Sequence, residues 1–332
     1  MSWRMAFFVA LFFGVSTLAA GDTGGGTIYF STSDYVVWTM SSDGTGKAAL
    51  PTGVPYDGVP SGALHGGHRW LLDIRDIPGE SYPNGQTRRE LFAVRDDANG
   101  SVQLTNQPDL ETTYGGFGRC GFKHGDGEVW MTARRWAGGQ VVEGGVYAAQ
   151  ILFDANGDVT GLGAQPAAPA IAATLVTWPQ SEVYKGGLGP DMWEVDWAPG
   201  GTEVVYSRVS QSANSQALRI ADTSGGNRLL VSGASRFPAW SPDGTNIAFH
   251  STGGISTIKP DGTGLKVAIK RGSGYTVLYP HWSPTGSHIA YQQVKTNVYP
   301  NVRDVYRAKA DGKEQTNLTG DITLAATPSG WR

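Results

Sequence analysis

Asp196 and His281 are the residues whose types and settings best suit chemistry. Each stands directly before a tryptophan, in Val195-Asp196-Trp197 and Pro280-His281-Trp282. A carboxylate and an imidazole facing one cavity suit general-base chemistry, half of a metal site, or a hydrated polar lining. No third ligand stands beside them, so a divalent metal in that cavity is compatible with the pattern and not demanded by it. Glu194, Arg236 and Tyr279 flank the same positions and are expected at the cavity mouth. Other patterns are weaker. His65-Gly66-Gly67-His68 has the spacing of neither a helical nor a strand zinc pair and reads as a turn. Asp154-Ala155-Asn156-Gly157-Asp158 opens like a calcium loop but lacks the closing bidentate glutamate, so it too reads as a turn. There is no Gly-x-Ser-x-Gly elbow, and no Walker or Rossmann glycine pattern between a strand and a helix.

Repetition is what places Asp196 and His281 in one cavity. Residues 237–249 read FPAWSPDGTNIAF, 279–291 read YPHWSPTGSHIAY, and 194–206 read EVDWAPGGTEVVY. A recurring phrase fixes architecture first. In the clearest copy, Phe237 to Trp240 is a strand and Ser241-Pro242-Asp243-Gly244 a turn. Asn246 to His250 is the return strand, and two further strands follow. Proline presets φ and Asp-Gly tolerates positive φ, so these are hairpin turns. Four antiparallel strands in about 35 residues cannot bury their faces alone; stacked copies around an axis can. The last turn of the unit recurs at 40–50, 93–105, 152–162, 220–231, 258–269 and 308–319.

Six copies predict an all-β, six-bladed propeller. The first unit starts with an unpartnered strand at Thr27, and the chain ends in one at Ala326 to Trp331. The C-terminal strand is therefore expected to complete the first blade against residues 27–50, closing the ring and removing free edges. The phrase Pro-x-Trp-Ser-Pro-Asp-Gly-x-x-Ile-Ala-Phe, followed by a strand and an Asp-Gly-Thr-Gly hairpin, resembles the WD40-like repeat of TolB-type propellers. The likeness is closest over 237–269, good over 279–319, fair over 194–231 and faint before 165. It implies an exported bacterial propeller, often a docking surface, and no single chemistry. TolB carries a separate α/β domain ahead of its propeller, whereas the repeats here start almost at once.

Aligning the units at the repeated tryptophan gives channel positions Gly62, Gly121, Asp196, Ala239, His281 and Ser329. The short alike turns fall at one end of the blades. Insertions at 73–90, 134–145, 165–191, 207–216 and 293–304 fall at the other and read as irregular loops. They carry Tyr82, Arg88, Arg89, Arg134, Arg135, Trp136, Trp178, Tyr184, Arg208, Tyr299 and Arg303. Aromatics beside arginines suit glycan rings, carboxylates or a protein hot spot, and loops on a rigid scaffold usually carry binding. Arg88, Arg89, Trp136 and Trp178 are the expected exposed contacts.

Composition agrees. Of 332 residues 47 are glycine, about twice the usual share, and only 17% are charged. A net charge of −3 gives no field for nucleic acid. The single cysteine, Cys120, excludes an intrachain disulfide and reads as a buried small hydrophobe. Arg4, the apolar run Met5 to Val15 and the small residues before Ala20 have the anatomy of a secretory signal peptide cleaved after Ala19 or Ala20. No other stretch is long and apolar enough to span a bilayer. The expected mature chain, 21–332, is one domain, secreted or periplasmic. It is expected to bind a protein or glycan without catalysis. The alternatives are a propeller-type polysaccharide lyase using the funnel, and a structural subunit of an envelope or extracellular assembly. Asn99-Gly100-Ser101 and Asn317-Leu318-Thr319 match glycosylation acceptors but coincide with repeat turns.

Overall fold

The computed structural model describes residues 24–332 except 54–58, 62, 83–84, 107, 113–119, 123–126, 164–173, 178–193, 211–214, 223, 225 and 299–300. The leader, Gly62, Trp178, Tyr184 and Tyr299 lie outside the described residues, as do the side chains of Arg134 and Arg208. No helix occurs among the described residues, and none is long and apolar enough to cross a membrane.

Among the described residues, the strands pair into six antiparallel sheets. The first holds β1 (Thr27–Thr32), β2 (Val37–Ser41) and β3 (Ala48–Ala49). The second holds β4 (Val59–Pro60), β5 (Trp70–Ser81), β6 (Thr87–Arg95) and β7 (Ser101–Gln103). The third holds β8 (Leu110–Thr112), β9 (Cys120–Phe122), β10 (Glu128–Ala137), β11 (Gln140–Phe153), β12 (Val159–Leu162) and β13 (Thr174–Thr177). The fourth is β14 (Val195–Trp197), β15 (Glu203–Ser210), β16 (Ser215–Asp222) and β17 (Asn227–Ser232). The fifth is β18 (Ser235–Trp240), β19 (Ile247–Ser251), β20 (Gly254–Ile258) and β21 (Lys266–Lys270). The sixth is β22 (Tyr275–Trp282), β23 (His288–Lys295), β24 (Arg303–Lys309) and β25 (Thr316–Asn317). The last strand, β26 (Ala326–Trp331), returns to pair antiparallel with β1.

One device makes the same turn in every sheet. Between the third and fourth strands an aspartate accepts the backbone N–H two residues on. The pairs are Asp43–Thr45, Asp97–Asn99, Asp154–Asn156, Asp222–Ser224, Asp261–Thr263 and Asp311–Lys313, all at 2.8–3.0 Å. The side chain mimics a backbone turn and presets the hairpin. Asp154-Ala155-Asn156-Gly157-Asp158 is one of these turns.

Burial follows strand alternation. Val204 and Tyr206 of β15 pack toward the third sheet, while Val205 between them packs toward the fifth. Such strands are buried on both faces, so they read as unbroken apolar runs. The six core clusters each join consecutive sheets. They link first to second, second to third, third to fourth, fourth to fifth and fifth to sixth. The last sets Ile28, Phe30 and Trp331 against Ala290 and Val305, joining sixth to first.

Three of the insertions expected as irregular loops prove to be largely strand, and a fourth is strand at its ends. Residues 73–90 lie mostly in β5 and β6, and 134–145 in β10 and β11. β15 and β16 share most of 207–216, and β23 and β24 account for the ends of 293–304. A chain leaving the sheet satisfies its backbone groups by staying paired with its return strand. The longest hairpin, β10–β11, needs extra partners. β9 pairs with Val129–Met131 while β8 pairs with Ala133–Arg135, and β13 lies beside β11 next to β12.

The termini are fastened by more than β26. Thr27 and Arg332 exchange both backbone hydrogen bonds, and the Trp331 indole donates to the Gly25 carbonyl at 2.6 Å. Trp331 is 2% exposed. Trp331→Ala is expected to cost about 3–5 kcal/mol in urea unfolding; a loss below about 1 kcal/mol would show that β26 adds little to the fold.

Candidate functional site

The strongest polar cluster gathers where the first strands of the fourth, fifth and sixth sheets begin. Glu194, 3% exposed, stands just before β14. Its carboxylate accepts from Arg236 Nη2 at 2.8 Å and Nε at 3.2 Å, from Ser207 Oγ at 2.5 Å, and from the Phe237 backbone N–H at 2.6 Å. Arg236 also lies 4.8 Å from the Phe237 ring centroid. The Phe237 and Tyr279 rings meet at 4.2 Å, tilted by 50°. Burial raises the Tyr279 hydroxyl above its ordinary range, and the Glu194 charge adds to that. The expected trio Glu194, Arg236 and Tyr279 is therefore brought together. Sequence reasoning missed Phe237, although it occupies the place of Tyr279 in the repeated phrase. It also missed His250, whose Nδ1 is buried and has no hydrogen-bond partner among the described residues.

Asp196 and His281 serve the joints between sheets. One Asp196 oxygen accepts the Trp240 N–H of the fifth sheet at 2.7 Å, and the other its neighbour's Trp197 N–H at 3.0 Å. His281 bonds to the Pro328 carbonyl in β26. In the same layer the Trp282 indole donates to the Ala239 carbonyl at 3.0 Å. Burial pushes the Asp196 carboxyl up to about 6, and the two N–H groups and the Arg332 charge only partly offset it. Burial, helped by Arg332, pushes His281 down to about 4. Arg332 thus acts on both groups, and nothing but its place at the chain end in the repeat could have flagged it. Ser329 is buried, and its hydroxyl has no partner among the described residues. At Gly121 a Cβ would come within 2.9 Å of the Trp130 indole nitrogen.

Among the described residues, Asp196 and His281 have no third ligand beside them. Among the described residues, the group of three ligands close enough for a cation is His68, Asp96 and Asp97, away from Asp196 and His281. There Asp97 is already held by Arg95, at 3.0 Å through Nε. His65 and His68 form a two-residue bridge around Gly66-Gly67, the expected turn. A Cβ on Gly66 would fall 1.8 Å from the Asn156 carbonyl, so that turn docks on the third sheet.

Two expected surface contacts are interior. Arg88 is 7% exposed, its guanidinium held by Glu80, Glu90 and Asn106. Trp136 is buried and donates to Glu111 at 2.7 Å. Both belong to strand stretches whose inward side chains the loop reading took as exposed. Arg89 points the other way, half-buried and paired with Asp76 at 2.8 Å.

Arg88→Ala is expected to destabilise the protein by about 3–5 kcal/mol, because it strands the buried Glu90 carboxylate. An urea midpoint equal to the parent's would show the pair to be dispensable. Asp196 and His281 set a pH dependence. The raised Asp196 value contributes stability in acid that is lost as pH rises through about 6. The lowered His281 and His250 values contribute stability near neutrality that is lost as pH falls toward about 4. Between these limits the slopes oppose, so Asp196→Asn should steepen the loss of stability on acidification from pH 6 to pH 4. An unaltered slope in denaturant melts would mean that Asp196 does not titrate in that window.

No family model and no curated protein matches the sequence. Among solved structures, TolB from Acinetobacter baumannii superposes with a TM-score of 0.55 at 14% identity, covering 94% of this chain and 67% of that one. A putative TolB from Agrobacterium tumefaciens gives 0.48 at 16% identity, with coverages of 76% and 88%. An oligogalacturonate lyase from Vibrio parahaemolyticus gives 0.49 at 14%, with 88% and 73%. Identities this low speak to fold alone. With the sheets and their packing, the likeness to the Acinetobacter baumannii TolB gives this chain an all-β fold of the TolB-like propeller type.

Proposed function

We propose that this protein is an exported, six-bladed binding propeller, closed by its C-terminal strand, that engages a protein or glycan at the end where the first strands begin. The cyclic order of the six core clusters and the β26–β1 pairing support closure. The basic and apolar leader supports export, with cleavage after Ala19 or Ala20.

One observation carries the non-catalytic reading. Both oxygens of Asp196 are taken by backbone N–H groups, and His281 is engaged by the Pro328 carbonyl. Groups spent on holding neighbouring sheets together are poorly placed to move a substrate proton. The hairpins at the opposite end from the aspartate turns differ in length from sheet to sheet, as binding segments on a rigid scaffold do. Tyr35, 70% exposed at the β1–β2 turn with φ of 65°, presents a strained aromatic there.

Capture from the host's exported fraction tests this reading. Tyr35→Gly together with Val298→Ser, exposed residues of the β1–β2 and β23–β24 hairpins, should reduce capture at least about tenfold with little change in melting temperature. Capture at parental level would refute the assignment of binding to this end.

A further inference from the structure

We propose that the junction of the fifth and sixth sheets binds an anionic sugar ring of the hexuronate class, stacked on Tyr279 beside Phe237 with its carboxylate taken by Arg271 and Arg303. This deepens the binding reading above and rests on it.

The platform is built at a conformational cost. Phe237 and Tyr279 occupy matching places in two repeats and have φ of 54° and 53°. Bulky residues avoid this left-handed region, and such outliers cluster at ligand sites. Each lies in a bulge, between Arg236 and Ala239 and between Leu278 and His281. The bulges turn two half-buried aromatic rings toward each other as a floor and a wall. The C–H face of a pyranose carries partial positive charge and suits the negative face of such rings.

The surrounding charge is cationic. The charges of Arg236 and Arg271 reach His250, and those of Arg236 and Arg303 reach Tyr279. Glu194 also faces Tyr279, but its carboxylate is already met by Arg236, Ser207 and the Phe237 N–H. Arg271 and Arg303 are exposed, and neither side chain has a hydrogen bond or ion pair among the described residues. A guanidinium matches a carboxylate bidentately. The half-buried His250 ring lies within the same cluster, 6.4 Å from Phe237.

The same site is poorly made for an extended acidic peptide. Strand addition needs free backbone donors along an edge. Here Pro238 and Pro280 have none, and the Phe237 and Trp240 N–H groups are taken by Glu194 and Asp196.

Calorimetry on the mature chain decides the matter with three probes: an alginate hexasaccharide, maltohexaose and hexaglutamate. The alginate oligomer should bind, weaken with added salt, and lose at least about tenfold in affinity in the Arg271→Ala/Arg303→Ala double variant. Tyr279→Asn, which tolerates the left-handed backbone, should lose a similar factor. No binding of the alginate oligomer, equal binding of maltohexaose, or hexaglutamate bound as tightly and without regard to Tyr279→Asn would each overturn the proposal. If the alginate oligomer fails while hairpin-dependent capture persists, only this inference falls. Alginate binding without hairpin-dependent capture would instead uphold this site and remove the hairpins from the binding reading.

Discussion

The structure depends on how the first strand of one sheet grips the first strand of the next. These strands do not form a ladder with each other, so their inward polar groups need other partners. Side chains supply them. Glu194 and Asp196 stand two residues apart, which in a strand puts both carboxylates on one side. They accept the Phe237 and Trp240 N–H groups of the neighbouring strand. The Trp282 indole reaches back to the Ala239 carbonyl, His281 reaches forward to Pro328, and the Trp331 indole closes on Gly25.

That arrangement accounts for the electrostatics of the centre. A carboxylate that bridges two sheets must sit where water is scarce, so its acid form is favoured and its pKa rises. The imidazole in the equivalent place is driven the other way by the same desolvation. Perturbed values at a cavity are often read as catalysis. Here a structural cause is sufficient, because each perturbed group has a named backbone partner in a neighbouring sheet.

The left-handed aromatics follow from the same grip. Holding the Phe237 N–H on Glu194 and the Trp240 N–H on Asp196 leaves Phe237 and Pro238 inside a bulge. A β-bulge re-aims side chains, and here it faces two rings toward each other at the end where arginines gather. The bonds that hold neighbouring sheets and the placement of the two rings thus share one set of residues, which separates this end from the uniform aspartate turns at the other.

Much of the fold was legible in the chain. The Asp-Gly turns, the Pro-x-Trp phrase and the doubly buried apolar runs are local signals, set by φ preference and period, and they marked sheet repeats and strand order. The matching strand positions of Asp196 and His281 followed from the same register. Exposure did not. Arg88 and Trp136 look like surface residues in an insertion, but β6 and β10 continue through it and turn both inward, onto Glu90 and Glu111. Arg332 and His250 carried no local signal, because their neighbours are distant in sequence. The sequence by itself determined the repeat and its turns, since these depend on residues within a few positions of one another. Only the tertiary structure decided which polar groups are occupied, because hydrogen-bond partners and desolvation are set by strands some forty residues apart that meet only when the sheets pack.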